Sequence, residues 1–342
     1  MEWDPSQFFR SGDVSTYALL VLNQPINEKA FGVLSDHASY IICADGGANR
    51  LYDMMKQHGQ ESTILPDRIV GDLDSLNPTI RRHYEKLNVP IDEDPDQYST
   101  DFTKCLKYLN SHAAEIIACP RSYEQQQQQE QDPTTENPSK RQTLEIVILG
   151  GLGGRVDQAF SQIHHLYMMT QTQRELRESK KDDINQSDDH DNDKQNSKFD
   201  SATGGNLYLV SEESITFVLQ KGKNLIHTPA THRPVEVNGD DSRKRKRQDI
   251  SQGSASATAS SAAESEISEY LFEENIGIIP LSASASITTT GFEWDVENWH
   301  TEIGGQLSTS NHIRADLVSV ETNVPVLFTV ELAERLKRRM NA

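Results

Sequence analysis

The chain has 342 residues, room for two domains, and carries 33 Lys and Arg against 52 Asp and Glu, a net charge of −19. Such an acidic balance argues against a general nucleic-acid binder, because neutralising phosphates takes clustered cations. Cys43, Cys105 and Cys119 are odd in number and lack metal-ligand spacing, Met1–Pro5 has no basic or apolar leader, and no run nears the ~20 apolar residues of a membrane helix; a reduced, soluble, cytoplasmic protein is expected.

Tyr17–Leu22, closed by Asn23-Gln24-Pro25, reads as a first strand, and Glu28–Leu34 as a short helix. Tyr40–Ala44 reads as a second buried strand. It stops on Asp45-Gly46-Gly47, and Arg50–Met55 then carries helical spacing, so Asp45 stands at a strand-to-helix junction. The two glycines suit either close backbone approach to a ligand or a plain left-handed turn, and the residues alone leave those readings even. Arg68–Val70 reads as the next strand. Gly71 is expected to let the chain turn, so that Asp72 and Asp74 project beyond the strand's carboxyl end, where open α/β sheets hold ligands. Two hard oxygen anions at that separation suit Mg²⁺. Taken alone, Gly71–Ser75 reads more plainly as a solvated turn with capping aspartates.

A helix is expected over Thr79–Lys86, and Ser99–Lys104 opens another that runs through Leu109, with Ser99 or Thr100 as N-cap. Asp101 and Lys104 share one face of its first turn; the plain alternatives are dipole complementarity and a surface ion pair of little worth. The glutamine-rich stretch 121–142 reads as a disordered insertion. Leu144–Leu149 is another buried strand. It feeds Gly150-Gly-Leu-Gly-Gly-Arg-Val-Asp-Gln158, and a helix runs on to about Met169.

Four glycines in five positions between strand and helix are the strongest local phosphate signal in the chain. Neither common nucleotide fingerprint fits. G-x-G-x-x-G read from Gly151 needs glycine where Val156 stands, and a Walker A around Gly222-Lys223 has Phe217 for its first glycine and Asn224 for its Ser/Thr. Arg155 is apt for phosphate, and Asp157 for metal, water or a cationic ligand.

The charged stretch 172–203 reads as a second disordered insertion, Asn206–Ser211 as the last parallel strand, and Ile215–Leu219 as its hairpin partner. A third low-complexity insertion, 231–268, contains Arg243–Arg247, which reads as an import signal, a nucleic-acid patch or an inert solvated run. Beyond it, Gly277–Leu281, Ala285–Thr290, Ile303–Ser308, Leu317–Thr322 and Val326–Leu332 are short strand-like runs, followed by a terminal helix over Glu331–Met340. The expected fold is an α/β parallel-sheet three-layer domain over 1–211, then a smaller all-β sandwich over 212–342.

Asp45, Asp72, Asp74, Asp101 and the Gly150–Asp157 loop each stand at a junction that a parallel sheet gathers on one rim. With Lys104 and Arg155 beside them, they point to a metal-plus-polyphosphate site, which is what phosphoryl-type transfer requires. No Ser-His-Asp or Cys-His arrangement stands out, and His164-His165 reads as helix surface.

The motifs Ala44–Arg50, Gly71–Ser75, Ser99–Lys104, Gly150–Gln158, Thr288-Thr-Thr-Gly-Phe-Glu-Trp294 and Ser308-Thr-Ser-Asn311 stand in an order that resembles the thiamine pyrophosphokinases, their eukaryotic, fungal-looking members above all. The resemblance implies a two-domain homodimer with sites between subunits. It implies transfer of the β,γ-pyrophosphoryl group of ATP to the hydroxyl of thiamine, giving AMP and thiamine diphosphate. Carried over by motif, Asp72, Asp74 and Asp101 match Mg²⁺-binding, catalytic carboxylates, and Asp45 matches the acidic residue beside them. Gly46, Gly47, Gln97, Thr100, Lys104 and Arg155 match the ATP site. Asp157 and Gln158 match the loop near the reacting hydroxyl and the pyrimidine, with Asp157 counted as catalytic and, like Asp101, a candidate to take the hydroxyl proton; Trp294 matches a tryptophan stacked on thiamine, and Ser308 and Asn311 its polar pocket. A permanent thiazolium charge against an indole is sound cation–π chemistry. Tyr98 departs from the pattern, standing where many relatives carry a carboxylate. Two rival readings are a metal-dependent nucleotide phosphohydrolase and a nucleic-acid-binding regulator acting through 243–247; the same basic run, as an import signal, would add a nuclear fraction.

Overall fold

A computed structural model describes residues 1–10, 15–121, 143–153, 155–186, 203–234 and 270–338. The basic run 243–247 and the glutamine-rich tract 124–138 lie outside the described residues.

A short strand, β1 (Glu2–Trp3), comes first, followed by β2 (Tyr17–Val21), β3 (Tyr40–Ala44), β4 (Arg68–Gly71), β5 (Ile91–Glu93), β6 (Thr143–Leu149) and β7 (Thr203–Val210). β2 to β7 pair in parallel, side by side in the order β7-β6-β2-β3-β4-β5. Alternate side chains leave opposite faces. Tyr17, Leu19 and Val21 pack under α1 (Glu28–His37), α2 (Gly47–Gln57) and α3 (Pro78–Lys86). Ala18, Leu20 and Leu22 pack under α4 (Asp101–Ser111), α5 (Ala113–Ala118) and α6 (Val156–Gln186). Burial on both faces is why β2 and β3 read as unbroken apolar runs.

At β8 (Ser214–Leu219) the sheet changes direction without breaking. β8 runs antiparallel to β7, and β15 (Val326–Leu332), β10 (Phe272–Pro280) and β13 (Ser308–His312) continue the same ten-stranded sheet. A second sheet covers this half, in the order β1-β9-β14-β11-β12, formed with β9 (Gly222–His227), β14 (Leu317–Thr322), β11 (Ala285–Thr290) and β12 (Trp299–Thr301). One hydrophobic core passes from Phe31 and Leu34 of α1 through Tyr208 and Phe217 to Ile287, Val318 and Val320 of the second sheet. Trp3 stacks on Phe217 at 5.0 Å and donates its indole N–H to Asn224, so the first residues belong to the sandwich. No helix among the described residues is long and apolar enough to cross a membrane.

Four sequence expectations are corrected. The helix after the glycine loop does not stop near Met169 but runs to Gln186, so the stretch expected to be disordered from 172 is helical over its first half. Its inward face is polar and hydrogen-bonded: Thr170 and Gln173 are buried, Gln173 donates to Asn110 (2.9 Å), and Arg177 donates to Asn206 (3.1 Å). At the insertion edges, Arg121 donates to Leu65 O and Asp67, Thr231 is buried with its hydroxyl on Thr228 O, and the described residues run to Pro234. Ile303–Ser308 is not a strand. The chain turns there between β12 and β13, and the pairing falls on Ser308–His312. Finally, Glu331 and Leu332 end β15, and the described residues that follow form turns rather than a helix. They are tied down by Ala333 N to Leu271 O (3.0 Å) and Arg338 N to Glu212 O (2.9 Å).

Beside that polar seam lies Glu145, buried in β6, whose carboxylate accepts from Asn206 N at 2.9 Å. Burial pushes its pKa up to about 7, against the Asn206 hydrogen bond and the Arg177 charge. With the folded pKa above the unfolded one, the stability this group confers is full below about 4.5 and lost as pH rises through about 7. Glu145→Gln keeps the acceptor for Asn206. Its melting temperature should match the parent's at pH 4.5 and exceed it at pH 8, by on the order of 3 kcal/mol of stability.

Candidate active site

The carboxyl ends of β3 and β4 meet the start of α4. Asp45 leaves β3 with a φ of 41°, its N–H on Val70 O at 3.0 Å. Gly47 follows because α2 starts hard against β2, where a Cβ would run into the Val21 carbonyl oxygen. The left-handed residue of this turn is therefore Asp45, and the glycine serves close packing. Gly71 is similar. It stays in the extended strand rather than turning, and a Cβ there would lie 2.6 Å from the Asp45 Cβ and 3.1 Å from Asp101 Oδ1.

That close approach brings one oxygen each of Asp45, Asp72 and Asp101 within 4.8 Å of one another. Thr100 caps α4, its Oγ1 accepting from Thr103 N at 3.3 Å, and so fixes where Asp101 begins the helix. Asp101 Oδ1 also accepts from Asp72 N at 3.3 Å. Lys104 is no surface ion pair: its side chain is 1% exposed, with Nζ 3.2 Å from Asp101 Oδ1 and 3.9 Å from Asp72 Oδ2.

Asp45 is 2% exposed; its Oδ2 accepts from Ser75 N at 3.0 Å, while its buried Oδ1 has no partner among the described residues. Burial raises its pKa, Ser75 pulls it back, and Asp101, Asp72 and Asp74 raise it further. Three carboxylates facing one ammonium leave excess negative charge in a partly dry site. An orphaned buried oxygen within an all-oxygen donor set fits a hard divalent cation such as Mg²⁺. Asp74 is not part of this trio here; its Oδ1 accepts from the Ser75 hydroxyl at 2.9 Å.

Of the other residues expected at the polyphosphate, Gly46 and Gly47 are buried next to Asp45, and the rest are open to solvent. Gln97, Tyr98 and Thr100 are exposed on the approach to α4. Arg155 donates to Asp157 at the start of α6, Nη2 to Oδ2 at 2.6 Å, with both side chains mostly exposed. The Arg155 hydrogen bond holds the Asp157 carboxyl below its usual range. Gln158 accepts from Gln24 Nε2 at 3.1 Å, joining the α6 start to the end of β2. Gly46 opens α2 beside Asp45.

Trp294, Ser308 and Asn311 come together elsewhere, around a cavity of about 280 Å³ in the sandwich. Trp294 is 55% exposed on the β11–β12 connection, its backbone clamped by Asn311: Oδ1 accepts from Trp294 N (3.1 Å) and Nδ2 donates to Trp294 O (2.9 Å). Asn311 thus spends its amide on holding the tryptophan. Asp295 secures the other side, accepting from Gly291 N, Phe292 N and the Thr289 hydroxyl. No sequence signal marked Asp295, nor Trp299, which also lines the cavity.

Two family models match this chain: the thiamin pyrophosphokinase catalytic domain over residues 31–177, and the thiamin pyrophosphokinase vitamin B1 binding domain over 264–327. The chain belongs to the thiamin pyrophosphokinase family. The carboxylate trio falls within the first match, and Trp294, Ser308 and Asn311 within the second. Among pyrophosphokinase relatives, thiamine pyrophosphokinase 1 of Oryza sativa subsp. japonica is 26% identical over 329 residues, covering 93% of this chain and 88% of its own. Thiamine pyrophosphokinase of Saccharomyces cerevisiae is 25% identical over 338 residues, covering 92% and 85%. The crystal structure of the yeast thiamin pyrophosphokinase shares the fold at a TM-score of 0.64 and 22% identity, over 97% of this chain and 90% of that one. The thiamin pyrophosphokinase from Candida albicans does so at 0.61 and 22%, over 97% and 92%.

Proposed function

We infer that this chain transfers the pyrophosphoryl group of ATP to the hydroxyl of thiamine, releasing AMP and thiamine diphosphate. The observation that carries this reading is the convergence of Asp45, Asp72 and Asp101 on the strand-end rim, around an unpartnered buried oxygen and a buried lysine. Those carboxylates would hold Mg²⁺, which when bound neutralises polyphosphate charge. Lys104 sets the spacing of Asp72 and Asp101 and adds a fixed positive charge where negative charge accumulates. Arg155, exposed and paired among the described residues with Asp157 alone, is free to turn toward a phosphate. Asp157, held ionised by Arg155, is a weak base and a good acceptor, so it orients the thiamine hydroxyl rather than stripping its proton.

The halves 1–211 and 212–342 divide the work, nucleotide and metal on the first, vitamin on the second. Trp294 is anchored to β13, eight strand positions from β4 in the sheet, a separation of ~38 Å at ~4.8 Å per strand. The hydroxyl must come within ~3.5 Å of phosphorus to react. That span supports a homodimer in which the pocket serving each carboxylate trio comes from a second copy.

Incubation of the purified protein with ATP, Mg²⁺ and thiamine should give AMP and thiamine diphosphate; ADP or inorganic phosphate as the sole nucleotide-derived product would refute the reading. Trp294→Ala should raise the KM for thiamine about tenfold with little change in that for ATP. The reverse pattern would place the tryptophan at the nucleotide.

A further inference from the structure

The vitamin pocket holds two indoles, and the motif resemblance accounts for one. We propose that Trp299 is the second aromatic wall of this pocket, sandwiching one heteroaromatic ring of thiamine against Trp294; the inference rests on the thiamine reading of the site. Both tryptophans line the same cavity of about 280 Å³. Their mountings differ. Trp299 lies in β12, paired with Ile287 of β11, and is packed from behind by the hydrophobic core. Trp294 projects from a connection held by Asn311 and Asp295. One wall is fixed by the sheet, and the other stands open toward solvent.

The cavity's chemistry selects the occupant. At about 280 Å³ it is just below the ~300–1,000 Å³ usual for a complete ligand, so it takes a ring system rather than a nucleotide. Its lining combines Ile287, Val296 and Leu307 with Thr and Ser hydroxyls and, among the described residues, contains no Lys or Arg, which favours a flat cation over a phosphate. Two π-faces then act on one cationic ring. Trp3 spends its indole N–H on Asn224, whereas those of Trp294 and Trp299 have no protein acceptor among the described residues.

The chain has three tryptophans, and Trp3 is 1% exposed in the core, so fluorescence can report on the other two separately. In the full-length Trp294→Phe variant, titration with thiamine should still quench emission, the signal now coming from Trp299. Trp299→Leu should raise the KM for thiamine about tenfold with kcat and the KM for ATP within about twofold, and Trp299→Phe should restore most of the loss. If Trp299→Leu does not fold, the Trp294→Phe titration still decides. Quenching in the parent but none in Trp294→Phe, or a parental KM in a folded Trp299→Leu, would overturn the second wall and leave the thiamine site standing. No quenching in the parent, together with a Trp294→Ala variant of parental KM, would overturn both.

Discussion

Asp72→Asn should lower kcat by more than about 100-fold while leaving the melting temperature at or slightly above that of the parent. The loss follows from removing one of three charged oxygens that would hold the cation, a larger change than the 10–100-fold typical of altering a ligand's hydrogen-bond support. The retained stability follows from where Asp72 sits. Its side chain is 19% exposed, it packs in no core, and its Lys104 contact is 3.9 Å, so Lys104 keeps the closer Asp101. Removing one of several crowded anions also relieves the repulsion that raises the Asp45 pKa. Steady-state kinetics and thermal unfolding on the same preparation test this. A near-parental rate would remove Asp72 from the metal site.

Gly71→Ala should damage both properties. The added Cβ meets the Asp45 Cβ at 2.6 Å, an approach that backbone and β-carbon cannot relieve by rotating a side chain. β4 and the Asp45 turn must separate, at a cost of about 1–3 kcal/mol. The trio then opens and turnover falls at least as far as in Asp72→Asn. Gly32→Ala is the control: in α1, with nothing within 4 Å of the new carbon, it should be neutral or stabilise by up to ~1 kcal/mol. Urea unfolding of the two variants beside the parent separates crowding at one glycine from a general intolerance of alanine. Equal stability for Gly71→Ala and the parent would show that the rim is looser than its packing implies.

The contrast between these glycines also shows what the sequence could convey. Strands buried on both faces were legible because a run such as Ala18–Leu22 has no polar interruption. α6 was legible only over its first half. Farther along, its inward residues are Thr170, Gln173 and Arg177, whose buried hydrogen bonds leave no apolar periodicity to read. β9 was missed for a related reason: Asn224, 1% exposed, points inward where a strand pattern expects an apolar residue, and is satisfied by Trp3, Gln220 and Val320. β13, Ser-Thr-Ser-Asn-His at a sheet edge, has no apolar alternation at all.

At the site, residue types at strand ends announced the acidic cluster, but not its membership. Asp45 joins Asp72 and Asp101 because Gly71 lacks a side chain, and Asp74 turns to Ser75. Such proximities arise between elements and leave no mark in local sequence. The buried state of Lys104 is of the same kind, set by the packing of α4 against β3 and β4 rather than by its neighbours in the chain.

The unbroken bond ladder from β7 to β8 bears on how the molecule comes apart. The parallel part of the sheet and the sandwich have no hinge between them among the described residues, since their junction is a pair of hydrogen-bonded strands and one apolar interior serves both. Severing the backbone between Ser211 and Glu212 would leave each fragment with a bare sheet edge, the kind of surface that recruits foreign strands. The fragments would clump rather than fold, and the whole chain should unravel in a single cooperative step.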